Sequence, residues 1–193
     1  HRWCPCGIWT VCPTRRLPAC AVTPAPMEHK MHKTLPTNEV IAGVITALET
    51  VPRVVLPVRG TSMLPFIIGD VDSVELVKTD RVEVGDVILA WINGSRYVIH
   101  RVIKVDGDDV QLMGDGNLGG DEHCKMSDVA AKAEYIISPN GRRAYLYSPW
   151  RVRASRFWWK IKPVRRWILA VYRRTVLKRK LKKLKEVKEV KGQ

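Results

Sequence analysis

A chain of 193 residues holds one domain of ordinary size with appendages rather than two full cores, and 46% hydrophobic residues exclude a disordered composition. The net charge of +14 is localised: from Trp150 onward there are 17 Lys or Arg against Glu186 and Glu189, which leaves 16 of the 33 bases and 17 of the 19 acids in residues 1–149. A basic enzyme core is excluded by that balance, and a basic anchor is not.

Residues 1–30 carry no periodicity. Cys4, Cys6, Cys12 and Cys20 crowd into the first twenty positions in a spacing that matches no common zinc site, with no His at ligand distance behind them. Pro and Arg interrupt every apolar run, so residues 1–26 do not form a secretory signal, and the segment reads as an extension outside the fold, with a natural start at Met27 or Met31. Residues 37–50 follow a helical pattern, with Val40, Val44, Ile45 and Leu48 on one face and Thr37 or Asn38 as cap. Then come short β-branched runs: Val54–Arg59, Ser73–Val77, Val87–Trp91, Tyr97–Val105, Val110–Met113 and Val129–Ile137. Gly-Asp at 69–70 and 85–86, Asn-Gly at 93–94 and Asp-Gly at 106–107 separate them, and the last two are strong hairpin signals. The pattern predicts a mainly β domain over 31–148, built from hairpins rather than alternating with helices. No run of 18 apolar residues exists, so no ordinary membrane-spanning helix is predicted.

Chemistry concentrates between 60 and 121. Gly60-Thr61-Ser62-Met63-Leu64-Pro65 precedes Gly69-Asp70, Gly85-Asp86, Val98-Ile99-His100-Arg101, Gly114-Asp115-Gly116-Asn117 and Asp121. A serine hydroxyl attacks well only when a base takes its proton, and a His titrating near neutrality is suited to that. A carboxylate on the second ring nitrogen fixes the tautomer and stabilises the imidazolium.

The order G-x-S-M-x-P, GD, GD, HR, GD-x-N, D resembles the serine peptidases that include type I signal peptidases and the self-cleaving SOS repressors. His in place of Lys makes it most similar to the endoplasmic-reticulum and sporulation branch. The match covers about Val54 to Ile137. The resemblance implies a signal-peptidase-like β domain with an N-terminal helix and a C-terminal amphipathic helix. It further implies Ser62 as nucleophile, His100 as general base and Asp121 as the carboxylate, six residues after the Gly-Asp, with Asp115 supporting the loop. Gly60 and Thr61 stand where many signal peptidases have Ser and Gly, so a side-chain oxyanion donor is absent at position 60, although the Ser62 N–H and the Thr61 hydroxyl are available. Asp70 and Asp86 read as turn formers, and Lys104 as too far along its strand to replace His100.

Residues 149–193 alternate Trp and Arg, then Leu and Lys, at helical spacing, with Pro163 opening the longer helix. Three readings compete: a membrane-surface anchor, a nucleic-acid arm and a plain solvated helix. Trp158, Trp159, Trp167 and Tyr172 favour an anionic membrane surface, through a stripe of Trp158, Ile161, Ile168, Tyr172 and Leu184 opposed by Arg165, Arg166, Arg173 and Lys180. The expectation is a peripheral, membrane-associated bacterial serine endopeptidase that cleaves a peptide or preprotein leader, without cofactor or metal and without nucleic acid as partner. Its rivals are a switch that cuts itself at Ala42-Gly43 and a catalytically weak peptide-binding protein.

Overall fold

The computed structural model describes residues 37–182. The cysteine-rich segment, the start at Met27 or Met31 and Leu184 lie outside the described residues. Helix α1 (Thr37–Leu48) opens with Glu39 in its first turn, where a negative charge favours the helix dipole. Its inward face is Ile41 and Leu48, with Val44 and Ile45 half-buried beside them. Val40, expected on that face, is exposed, because the helix is rotated by about one residue.

Eight strands follow: β1 (Val54–Pro57), β2 (Ser73–Val77), β3 (Val87–Ile92), β4 (Arg96–Asp106), β5 (Asp109–Met113), β6 (Glu122–Lys125), β7 (Val129–Ile137) and β8 (Arg143–Tyr145). They form one antiparallel sheet in the order β1-β2-β7-β3-β4-β5-β6, with β8 pairing β7. The sheet is curled into a half-barrel. Register shifts at Glu75/Leu76, Leu89/Ala90 and Val102/Lys104 bend it, as bulges do. Asn93 and Gly94 both take positive φ (51° and 62°), the requirement of the tight turn whose twist matches a hairpin, and they join β3 to β4.

Strand β3 is buried at almost every position, because β7 and β4 flank it and apolar clusters cover both faces. Val87 and Leu89 point into one cluster with α1, β1, β2 and β7, while Ile88, Ala90 and Ile92 point into another with β4, β5 and β6. Period-two alternation in one strand therefore supplies two cores.

The basic tail is not one free-standing helix. Ser148 precedes α2 (Pro149–Lys160), and Ile161 separates it from α3 (Lys162–Tyr172), which continues through a π-helical turn at Arg173–Leu177. Pro149 and Pro163 occupy first-turn positions, where a missing N–H costs nothing. All described residues belong to one compact unit. The arm docks through Trp158 and Leu169 onto Leu64 and Ile68, with Phe66, Tyr172 and Ile161 around them. The expected membrane stripe is thus largely turned inward. Trp158 is buried, Trp159 and Tyr172 are half-buried, and of the four aromatics only Trp167 is exposed. Arg165, expected on the solvent side, is 2% exposed.

Candidate active site

Ser62 lies in the turn between β1 and β2, on backbone that other backbone approaches at the limit of contact. A Cβ on Gly114 would stand 2.5 Å from the Ser62 carbonyl oxygen, and one on Gly116 2.5 Å from that of Thr61. The Gly116 N–H donates to Ser62 O at 2.6 Å and the Asn117 N–H to Gly114 O at 3.0 Å. The glycines of G-D-G-N are therefore required by packing: the loop folds directly onto residues 61 and 62. Thr61 is exposed and Ser62 half-buried. Neither the Ser62 hydroxyl nor its N–H has a hydrogen-bond partner among the described residues.

His100 sits in β4 opposite Ile88 and is 5% exposed. Its Nδ1 lies 2.7 Å from Glu122 Oε2. At that distance the contact is close but bent away from hydrogen-bond alignment, and neither atom has another partner. The second Glu122 oxygen receives Arg96 Nη2 at 2.6 Å, so a cation holds the carboxylate from its far side. Burial pushes the His100 pKa below its ordinary value, and the charge of Glu122 offsets part of that shift. The imidazole is thus in its proton-accepting form at neutral pH.

Asp121 faces elsewhere. It accepts from the Gln111 amide and lies 3.3 Å from His123 Nε2, on the exposed side of the sheet, and the Gln111 hydrogen bond lowers its pKa. The cause is strand alternation. β6 begins at Glu122, so Glu122 and Cys124 point inward while Asp121, His123 and Lys125 point out. The carboxylate beside His100 is therefore Glu122, one residue beyond the position that the motif suggested. The apolar, buried Cys124 two residues on is a signal in the sequence that marks the inward face.

Arg101, the neighbour of His100, points to the opposite side and grips Asp115. Its Nε lies 2.9 Å from Asp115 Oδ1 and its Nη2 2.7 Å from Oδ2, a two-pronged pair with Asp115 fully buried. A further nitrogen donates to Gly85 O at 2.8 Å. The Asp115 carbonyl accepts the Trp158 indole N–H at 2.7 Å, and Arg165 donates to the Asn117 carbonyl. Strand β4, the loop 114–117 and the arm are thereby tied together behind Ser62. Asp86 receives the Glu83 N–H and Lys132, which suits the turn role expected of it. In the turn after the serine it is Asp72, not Asp70, whose carboxylate accepts a backbone N–H, that of Ile68. Lys104 is exposed and paired with Asp106.

Ser62, His100 and Glu122 open onto one cavity of about 440 Å³. Leu56, Val58, Leu89 and Ile99 give it apolar walls, and Val40 and Ile41 of α1 close one side. A serine hydroxyl without a hydrogen-bond partner, a buried histidine and a carboxylate 2.7 Å from its ring nitrogen thus line one cleft. No metal-binding group of His, Cys, Asp or Glu occurs among the described residues, and none of their helices is long and apolar enough to cross a membrane. No protein-family model and no curated protein matches the chain.

Proposed function

We propose that the chain is a serine endopeptidase of the signal-peptidase type, in which Ser62, His100 and Glu122 form the catalytic triad. The observation that carries this reading is the shared cleft, lined by Ser62, His100 and Glu122, with His100 Nδ1 2.7 Å from Glu122. His100 Nε2 takes the Ser62 proton as the hydroxyl oxygen attacks the scissile carbonyl, and Glu122 stabilises the imidazolium. The free Ser62 N–H donates to the oxygen that gains negative charge. The imidazolium then protonates the leaving amine, and an acyl-enzyme remains on Ser62. Water, deprotonated by the same imidazole, hydrolyses it. The apolar walls favour a peptide lying extended through the cleft, and small side chains beside the cut are what the resemblance implies. The order of motifs from Gly60 to Asn117 supports the reading independently of the geometry.

Labelling with a fluorophosphonate probe tests it. Wild type takes the label at Ser62, while Ser62→Ala takes none and His100→Ala is slowed by orders of magnitude. Wild-type protein that stays unlabelled and leaves leader peptides uncut sinks the proposal.

A second reading, self-cleavage at Ala42-Gly43, has one observation in its favour: the preceding Val40 and Ile41 line the same cleft as Ser62. Against it, the bond lies inside α1, where the Thr46 hydroxyl caps the Ala42 carbonyl at 3.1 Å, so the helix must unwind before an extended substrate forms. A cut there in wild type but not in Ser62→Ala, read by mass spectrometry, decides between the two.

A further inference from the structure

With the inward face of the arm accounted for, a different apolar stripe remains on its outside. Val164, Trp167, Ile168 and Val171 follow the i, i+3, i+4, i+7 spacing of one helix face, and they are 51%, 73%, 38% and 61% exposed. The stripe lies about a third of a turn from the core-facing row of Arg165 and Leu169. It is therefore distinct from the surface that docks the arm, and none of the described residues covers it. A globular protein rarely leaves about two turns of aliphatic and indole side chains in water. Phe157 and Trp150 of α2 are equally open, at 63% each.

Charge identifies the occupant. Between Pro149 and Lys182 there are 13 Lys or Arg and no Asp or Glu. Lys160, Arg166, Arg173 and Arg174 are exposed and enter no ion pair among the described residues. An acidic protein partner would need carboxylates matched to each base. A nucleic acid would use the bases and a stacked Trp, but would leave Val164, Ile168 and Val171 unsatisfied. An anionic lipid surface takes both features at once, with apolar side chains at the headgroup boundary and the bases against the negative charge.

We propose that the outer face of α3, centred on Trp167 and Val171, docks the protein on anionic membranes. The arm stays folded on the sheet while it does so, because Trp158, Leu169 and Arg165 are committed inward. The peptidase cleft is then carried to the bilayer by an element braced directly behind Ser62. Docking does not depend on catalysis, so Ser62→Ala binds as wild type does.

The test is co-sedimentation of the full chain at near-physiological salt with vesicles of phosphatidylcholine alone and of phosphatidylcholine mixed with phosphatidylglycerol. The expected result is strong binding to the mixed vesicles, weak binding to the neutral ones, and decline as salt screens the charges. The double variant Trp167→Glu/Val171→Glu removes two exposed side chains, so it keeps its circular dichroism and melting temperature. It loses affinity by at least about ten-fold, because the apolar area no longer enters the boundary. Arg166→Gln/Arg173→Gln weakens binding to the mixed vesicles and leaves the weak neutral binding unchanged. A wild-type chain that stays in the supernatant overturns the proposal, as does a folded double-Glu variant that binds the vesicles undiminished. Salt-sensitive binding to single-stranded oligonucleotide, unaffected by the double-Glu change and with no vesicle binding, overturns it in favour of nucleic acid.

Discussion

Two opposed forces set the basicity of His100. Burial disfavours the imidazolium, and Glu122 favours it, with burial the larger. The acidic limb of kcat/KM against pH is therefore expected below the ordinary His value of 6.5. Glu122→Gln removes the favouring charge and shifts the limb further to acid. It also lowers kcat by several orders of magnitude, up to about 10⁴ where a triad carboxylate is replaced by its amide. Asp121→Asn, on the outer face, leaves kcat within about two-fold, as expected of an exposed pair. A pH–rate profile of the three proteins checks both statements, and equal losses in Glu122→Gln and Asp121→Asn would remove Glu122 from the mechanism. The same group affects stability. The unfolded chain binds more protons than the folded one below pH 6.5, so stability falls as pH drops from 6.5 towards the depressed folded value and levels off beneath it. At the glycines the constraint is steric. Gly116→Ala places a Cβ 2.5 Å from the Thr61 oxygen, so the backbone under Ser62 must move. The expected cost is about 1–3 kcal/mol of stability, together with lost activity, read by denaturant melts and probe labelling.

Among the elements, α2 and α3 have a structural task that composition conceals. Trp158 fills a site against Leu64, Ile68 and Leu169, and its N–H holds the Asp115 carbonyl in the loop that also hydrogen-bonds Ser62. Trp158→Ala empties that site and is expected to cost about 3–5 kcal/mol. Trp158→Phe keeps most of the packing and loses one hydrogen bond, about 1 kcal/mol. If the indole positions the Ser62 loop, Trp158→Phe lowers kcat with KM unchanged and Trp158→Ala lowers it further. A kcat that stays at the wild-type value in folded Trp158→Phe restricts the residue to stability. Six strands were legible because β-branched runs alternate and Gly turns punctuate them, as at Asn93-Gly94. β6 and β8 were not, being four and three residues of mixed polarity, E-H-C-K and R-A-Y, held by pairing with β5 and β7 rather than by their own pattern. Missing β6 hid the face on which Glu122 stands, since a shift of one residue in a strand exchanges inside for outside. Ser62 and His100 were singled out by motif and spacing, and the two residues line one cleft. The arm misled because a helix with apolar residues on most sides does not say which of them meets the sheet.

Across the molecule, an acidic sheet domain, with 16 Asp or Glu against 11 Lys or Arg over residues 37–148, carries a strongly basic arm, and the two share a core. Leu64 and Ile68 are 0% and 3% exposed and pack against Trp158 and Leu169 of the arm, and Trp158 and Trp159 both donate to Asp115 of the Arg101–Asp115 pair. A chain ending at Ser148 would present that apolar surface and a buried carboxylate to water, and is expected to aggregate or to melt well below the full chain. Removing the arm therefore cannot serve as a clean test of membrane binding, whereas surface substitutions can. Shared burial has a second consequence. Elements that exclude water from one another open together, so the arm and the sheet should unfold in one cooperative step. Hydrogen exchange under increasing denaturant is the measurement. The slowest amides around Trp158–Leu169 should converge on the same opening free energy as those of β3 and β4. An independently docked arm would instead open at a much lower free energy, insensitive to Trp158→Ala. The thiol of Cys124 gives an independent check. Burial raises its pKa to about 11, so it should react slowly with alkylating reagents in the native protein. Mapped by peptide mass spectrometry, its alkylation should accelerate at the denaturant concentration where the arm amides exchange, and earlier alkylation would show that β6 frays from the sheet before the arm leaves it.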